Sequence, residues 1–249
     1  MIKEVYVLES SYLFVLVVGL AAGAISGIIG TGSSIMLMPV LIVAFGPKQA
    51  VPIMAVAAVM ANIARVYTWR REIHWKAFAA YSLPGIPFAA LGARTLWELP
   101  AHWVDIGLAL FFLAMIPVRH WLQSKQIRIS LWQLSAAGAV IGFLTGIVLS
   151  TGPLSVPAFT SFGLTKGAFL ATEAASSLAI YFSKIATFRE LGALPADMIL
   201  KGVIVGSSLM LGTFGAKAIV KRMNAASFHY VLDVLLFCSG ISLLWAAFH

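Results

Sequence analysis

The chain has 249 residues, of which 61% are hydrophobic and only 10% charged, and its mean hydropathy is +0.96. This is far more apolar than one soluble core requires, so the composition excludes an ordinary soluble domain. The net charge of +8 comes from Lys and Arg in short loops beside apolar segments. That placement is typical of membrane topology and excludes a nucleic-acid-binding face. The single cysteine, Cys238, excludes a disulfide framework and a thiol metal site.

Ten apolar segments follow one another along the chain and predict an all-α polytopic membrane protein. Residues 12–24 have some features of a signal peptide, but the residues before them carry no net positive charge, so we expect a retained first span. Two segments fall short of the roughly 20 residues that cross a bilayer, and each follows a Gly/Ser/Thr break, which predicts broken or re-entrant helices. The segments are 11–30, 33–45, 49–69, 77–93, 104–118, 131–149, 153–164, 167–187, 199–215 and 227–247.

The two breaks resemble each other, which indicates an internal duplication. The first contains Gly23, Gly27, Gly30, Thr31, Gly32, Ser33 and Ser34 before Pro39; the second contains Gly138, Gly142, Thr145, Gly146, Ser150, Thr151, Gly152 and Pro153 before Pro157. Downstream, residues 69–73 also match residues 187–191. The sequence therefore predicts a first transmembrane repeat at 1–118, a cytoplasmic linker at 119–130 and a second repeat at 131–249.

Basic residues predict how the repeats are oriented. If every segment reverses direction, the clusters after segments three, five and nine fall on one side, which the positive-inside rule makes the cytoplasm. About five segments per repeat then make the two copies inverted, with both termini extracytoplasmic. If the short segments are hairpins that re-enter from one face, the copies are parallel instead.

The broken helices are the first candidate binding region. An interrupted helix frees backbone N–H groups, and these groups with Ser and Thr hydroxyls can replace the hydration shell of an oxyanion. The candidate ligands are Thr31, Gly32, Ser33 and Ser34 in one repeat and Ser150, Thr151 and Gly152 in the other. The alternative is that the glycines only allow close helix packing, while the hydroxyls bond to carbonyls one turn back.

Charged residues inside segment eight form the second candidate region, because each costs at least about 2.5–3.5 kcal/mol in a bilayer. Glu173, Ser177 and Lys184 lie on one helical stripe, with Tyr181 close by. Glu173 is a candidate proton-coupling residue, or alternatively a cap that pairs with Lys166. Lys184 either attracts the substrate anion or extends to water at the outer end of the helix.

Segment three carries a matching cation. Asn62 and Arg65 are one helical turn apart, and Arg65 lies within one step of the position that corresponds to Lys184. The duplication thus places one cation per repeat near opposite mouths of a pathway. The alternative is that Arg65, like Arg70 and Arg71, only marks the cytoplasmic boundary.

The glycine motifs, their duplication and the run from Ala171 to Leu194 resemble the TauE/SafE family of bacterial membrane proteins, over nearly the whole chain. Ser33 and Ser34 stand where that family often has glycines. The resemblance implies an inner-membrane, multi-pass exporter of sulfite or of an organosulfonate such as sulfoacetate.

The sequence predicts a secondary transporter that works by alternating access, with a small anion and the lipid bilayer as its partners. A uniporter and a proton-coupled carrier both remain open, as does a homodimer. The alternatives are an uptake carrier or channel for another small anion, such as a carboxylate, and a non-transporting scaffold. We predict no enzyme activity and no cofactor or metal, because intramembrane catalytic motifs and metal-ligand spacing are missing from the sequence.

Overall fold

A computed structural model describes residues 14–24, 26, 33–124, 128–147, 152–219, 237 and 241. In this part of the chain all regular structure is helical and no strand occurs, which confirms the predicted all-α class. The helices are α1 (Phe14–Ala24), α2 (Ser33–Phe45), α3 (Pro47–Trp69), α4 (Trp75–Glu98), α5 (Ala101–Ser124), α6 (Leu131–Ile147), α7 (Gly152–Ser161), α8 (Lys166–Glu190) and α9 (Ala196–Ile219). A short 3-10 turn, Arg70–Glu72, follows α3.

Helix bounds agree with the apolar segments most closely at α2, and to within three residues at α3 and α7. Helix α2 covers the predicted 33–45, and α7 begins one residue before the predicted 153 and ends at Ser161. Helix α5 continues to Ser124, into the region predicted as a linker, because polar helix-forming residues can extend a helix beyond its apolar part. The predicted segment at 227–247 lies outside the described residues.

Helix α3 occupies the centre of the described bundle and packs against α2, α8 and α9. It begins after Gly46, which has a φ of 77°, and places Pro47 in its first turn, where a missing N–H costs nothing. Within the described residues, 49–72 and 196–214 are each long and apolar enough to cross a bilayer.

Helices α4 and α6 approach each other along a stripe of glycines. A Cβ added at Gly138 would lie 2.2 Å from the Tyr81 carbonyl oxygen, and one at Gly142 would lie 2.5 Å from that of Gly85. The contacts advance in step along both helices, so α4 and α6 run parallel. Gly138 and Gly142 therefore let the two helices approach closely.

The equivalent contact, with the roles of the two repeats exchanged, lies between α1 and α9. A Cβ at Gly23 would lie 2.1 Å from the Leu209 carbonyl oxygen, and one at Gly212 would lie 2.1 Å from that of Leu20. Helix 1 of each predicted repeat thus packs on helix 4 of the other.

Helices α3 and α8, the third of each predicted repeat, pack against each other in opposite directions. Arg65 near the end of α3 contacts Glu173 near the start of α8, and Glu72 beyond α3 lies against Gly167 in the first turn of α8. Arg65 lies four residues, about 6 Å or one helical turn, before the end of α3, and Glu173 lies seven residues, about 10 Å or two turns, after the start of α8. The antiparallel pair therefore carries its charged groups into the interior of the bundle.

Candidate functional site

A buried ion pair joins α3 to α8. The Arg65 Nη1 atom donates to the Glu173 Oε2 atom at 2.9 Å, and the two side chains are only 7% and 4% exposed. Two charges removed from water in this way are stable together, whereas either one alone is strongly unfavourable. Arg65 and Glu173 therefore each have a charged partner on the other helix.

The second oxygen of Glu173 accepts hydrogen bonds from two serine hydroxyls. Ser177, one turn further along α8, donates at 2.9 Å, and Ser155 of α7 donates at 3.3 Å. Ser155 lies in the first turn of the short helix, and its hydroxyl is also 3.3 Å from the Gly152 carbonyl oxygen. The start of α7 is therefore attached directly to the carboxylate.

Arg65 is positioned by its neighbour Asn62, and its Nε–H donor is unused among the described residues. Arg65 Nη2 donates to the Asn62 side-chain oxygen, and the Asn62 amide donates to the Ala58 carbonyl oxygen at 2.8 Å. Among the described residues, the buried Arg65 Nε–H group has no hydrogen-bond partner. Since buried N–H groups in proteins are almost always paired, this one is suited to an additional acceptor.

Two tyrosines extend the cluster to α2 and α4. Tyr181 is hydrogen-bonded to Ser34 in the first turn of α2, and it lies within electrostatic range of Arg65 and Glu173. Tyr81 of α4 packs on Phe159 of α7 with a ring separation of 4.7 Å, and it also faces Glu173. Polar groups from five helices thus converge around one ion pair, which we call the Arg65–Glu173 centre.

Lys184 forms a separate buried contact, about 16 Å along α8 from Glu173. Its side chain is 0% exposed, and its Nζ donates to the Thr145 carbonyl oxygen at 2.6 Å, in the last turns of α6. The free carbonyls at a helix C-terminus favour a nearby cation. The expectation that Lys184 extends to water is therefore wrong, because α6 packs over it and supplies the acceptor.

The remaining predicted residues divide between described and undescribed parts of the chain. Ser33 is buried in the first turn of α2, and Gly152 begins α7. The predicted ligands Thr31, Gly32, Ser150 and Thr151 lie outside the described residues. Arg65 is not a boundary marker: it is buried and paired, whereas Arg70 and Arg71 are exposed.

Sequence reasoning did not select Ser155, Tyr81 or the Thr145 carbonyl. Ser155 could have been noticed as a hydroxyl in the first turn of the second short helix, but the other two contacts depend on helix packing. No group of three or more His, Cys, Asp or Glu residues suited to a metal occurs in the part of the chain that the structure describes.

Residues 15–243 match the protein family described as Sulfite exporter TauE/SafE. The chain is also 26% identical over 183 residues to the "Probable membrane transporter protein y4hK" of Sinorhizobium fredii (strain NBRC 101917 / NGR234). That similarity covers 70% of this chain and 73% of the relative. No solved structure matches the chain.

Proposed function

Since the chain belongs to the TauE/SafE sulfite exporter family and is a membrane transporter, we propose that it exports a small sulfur-containing anion. The substrate would be sulfite or an organosulfonate such as sulfoacetate, and the membrane would be the bacterial cytoplasmic membrane. The protein acts as a carrier and catalyses no chemical reaction.

The observation that carries this proposal is the Arg65–Glu173 centre. A buried guanidinium with an unused Nε–H can donate to an oxyanion in a fixed plane, which suits the several oxygens of a sulfite or sulfonate group. The first turns of α2 and α7 meet the centre through Ser34 and Ser155. We propose that the predicted ligands Thr31, Gly32, Ser150 and Thr151, which lie outside the described residues, also bind the anion.

Lys184 provides a second binding position for the anion. Ser177 and Tyr181 lie between Glu173 and Lys184 on the same helix, so a substrate that leaves Arg65 meets hydroxyl groups before it reaches the second cation. Lys184 binds a single carbonyl oxygen among its described contacts, and an ammonium group has three donors.

We further propose that the repeats are inverted and give alternating access across the bilayer. The antiparallel packing of α3 on α8 supports this, because two equivalent helices related by an axis in the membrane plane must run in opposite directions. The basic turn at Arg70, Arg71 and Lys76 would be cytoplasmic, and both termini extracytoplasmic.

Binding by the purified protein tests the proposed substrate class. A panel of labelled sulfonates and carboxylates should show saturable binding of sulfonates, weakened by Ser33→Ala, Ser34→Ala and Thr151→Ala. Thr160→Ala is the matched control, because this exposed α7 hydroxyl bonds only within its own helix among the described contacts. Preference for carboxylates would indicate another anion carrier, and no binding at all would indicate a scaffold.

A further inference from the structure

The charge balance of the Arg65–Glu173 centre limits what can bind there. The pair is neutral as a whole, and burial of both side chains keeps water from compensating any added charge. An anion that binds Arg65 brings a second negative charge to a guanidinium that already has one. The incoming anion and the Glu173 carboxylate therefore compete for the same cation.

Within the described part of the chain, no other group near Glu173 can neutralise the carboxylate once Arg65 binds the anion. Helices α2, α6 and α7 contain no titratable side chain. Of the titratable groups on the elements packed around α8, Arg65, Tyr81 and Tyr181 face the carboxylate, while Glu72 and His74 lie at the start of the helix. Lys184 is about 16 Å away and is bonded to Thr145.

A buried carboxylate that loses its counter-charge is far less costly in its protonated form. The serine hydroxyls of Ser155 and Ser177 can adapt to this change, because each can donate to or accept from a carboxyl group. The centre can thus exist in two neutral states. In one, Arg65 is paired with ionised Glu173; in the other, Arg65 is paired with the anion and Glu173 carries a proton.

We propose that the Arg65–Glu173 centre binds a singly charged oxyanion together with one proton, which resides on Glu173 while the anion is bound to Arg65. This inference rests on the proposed function and makes it more specific. The favoured substrates are hydrogen sulfite and sulfonates with one charge, rather than sulfoacetate, whose sulfonate and carboxylate groups carry two negative charges. A substrate with two negative charges would leave the site with a net buried charge, so it binds more weakly.

The replacement of Glu173 by the anion as the partner of Arg65 also determines whether transport moves net charge across the membrane. One anion and one proton move together, and the empty centre returns as a neutral ion pair. Transport is then electroneutral, and its direction depends on the gradients of the anion and of protons. A membrane potential alone has no effect on the flux.

The test uses the full-length protein in detergent, with methanesulfonate as the singly charged probe and methanedisulfonate as the doubly charged one. Calorimetry in two buffers with different ionisation enthalpies measures the protons taken up on binding. We expect one proton per methanesulfonate, an affinity that falls about tenfold per pH unit while free Glu173 is ionised, and weaker binding of methanedisulfonate. Glu173→Gln should bind methanesulfonate with no proton uptake and no pH dependence.

Glu190→Gln is the matched control, because Glu190 is an exposed carboxylate on the same helix and should leave proton uptake unchanged. Binding that requires Arg65 but takes up no proton in the unaltered protein would overturn this inference alone. So would an unchanged pH dependence in Glu173→Gln, or preference for the doubly charged probe. Methanesulfonate binding that survives Arg65→Gln, or no saturable binding by the unaltered protein, would overturn the proposed site and this inference together.

Discussion

Removal of one charge from the Arg65–Glu173 centre should destabilise the protein far more than removal of both. Glu173→Gln leaves the Arg65 guanidinium buried without a counter-charge, and Arg65→Met leaves the carboxylate without its cation while keeping a side chain of similar length. The double variant contains neither charge. A comparison of the three variants isolates the interaction energy of the pair.

The expected loss of unfolding free energy in each variant follows from the contacts of the ion pair. Breaking a buried pair by removing one partner costs about 3–5 kcal/mol, and Glu173→Gln should cost about 3 kcal/mol because its amide oxygen still accepts from Ser155 and Ser177. Arg65→Met should also cost about 3 kcal/mol, because both serines still bind the carboxylate but its counter-charge is lost. The double variant should lose only about 1 kcal/mol, as for a volume-conserving core change.

Equilibrium unfolding in mixed micelles, followed by tryptophan fluorescence, measures these free energies of unfolding. The control pair is Arg94 and Glu190, whose side-chain atoms are 3.7 Å apart and more than half exposed. The same cycle on that pair should give a coupling below about 1 kcal/mol. A loss in the double variant equal to the sum of the single losses would refute the buried interaction, as would single variants as stable as the parent protein.

Three other predictions concern the second cation, the glycine stripe and the topology. Lys184→Met should lower anion flux in proteoliposomes about tenfold or more, because a buried contact to a charged donor is worth about 1.5–3 kcal/mol. Flux equal to that of the parent protein would show that Lys184 is not part of the pathway. Gly142→Ala should cost about 1–3 kcal/mol of unfolding free energy through the clash with α4. Gly107→Ala should not destabilise, because no atom of the described residues lies within 4 Å of the added Cβ. Equal effects would contradict the α4–α6 packing. Cysteines at Arg71 and Arg189, in a background without the native cysteine, should react with impermeant reagents from opposite faces of the membrane, and reaction from one face would refute the inversion.

The sequence predicted the helices well because apolar segments and glycine breaks are local signals. The start and end of α2 could be read from the break at Ser33 and the turn at Gly46. The ends of α5 and α8 were less predictable, since a helix can continue through polar residues once it leaves the apolar layer. Hydropathy marks that layer and carries little information about where the backbone stops being helical.

The site was predictable residue by residue but not as an arrangement. The cost of intramembrane charge singled out Arg65, Glu173 and Lys184 separately. The pairing of Arg65 with Glu173 joins residues 108 positions apart in sequence and depends on how α3 packs on α8. The same limit explains Lys184: its distance from the helix end suggested contact with water, whereas α6 covers it and supplies a carbonyl oxygen.

Efflux of radiolabelled sulfite from proteoliposomes is the most direct test of a sulfur-anion carrier built around Arg65. The parent protein and the surface variant Arg94→Gln should both give saturable efflux, and Arg65→Gln, checked for folding by its fluorescence and elution from a sizing column, should give none. Partial recovery with Arg65→Lys would identify the positive charge as the requirement. Efflux by Arg65→Gln at the parent rate, or no efflux by the parent protein, would contradict the account.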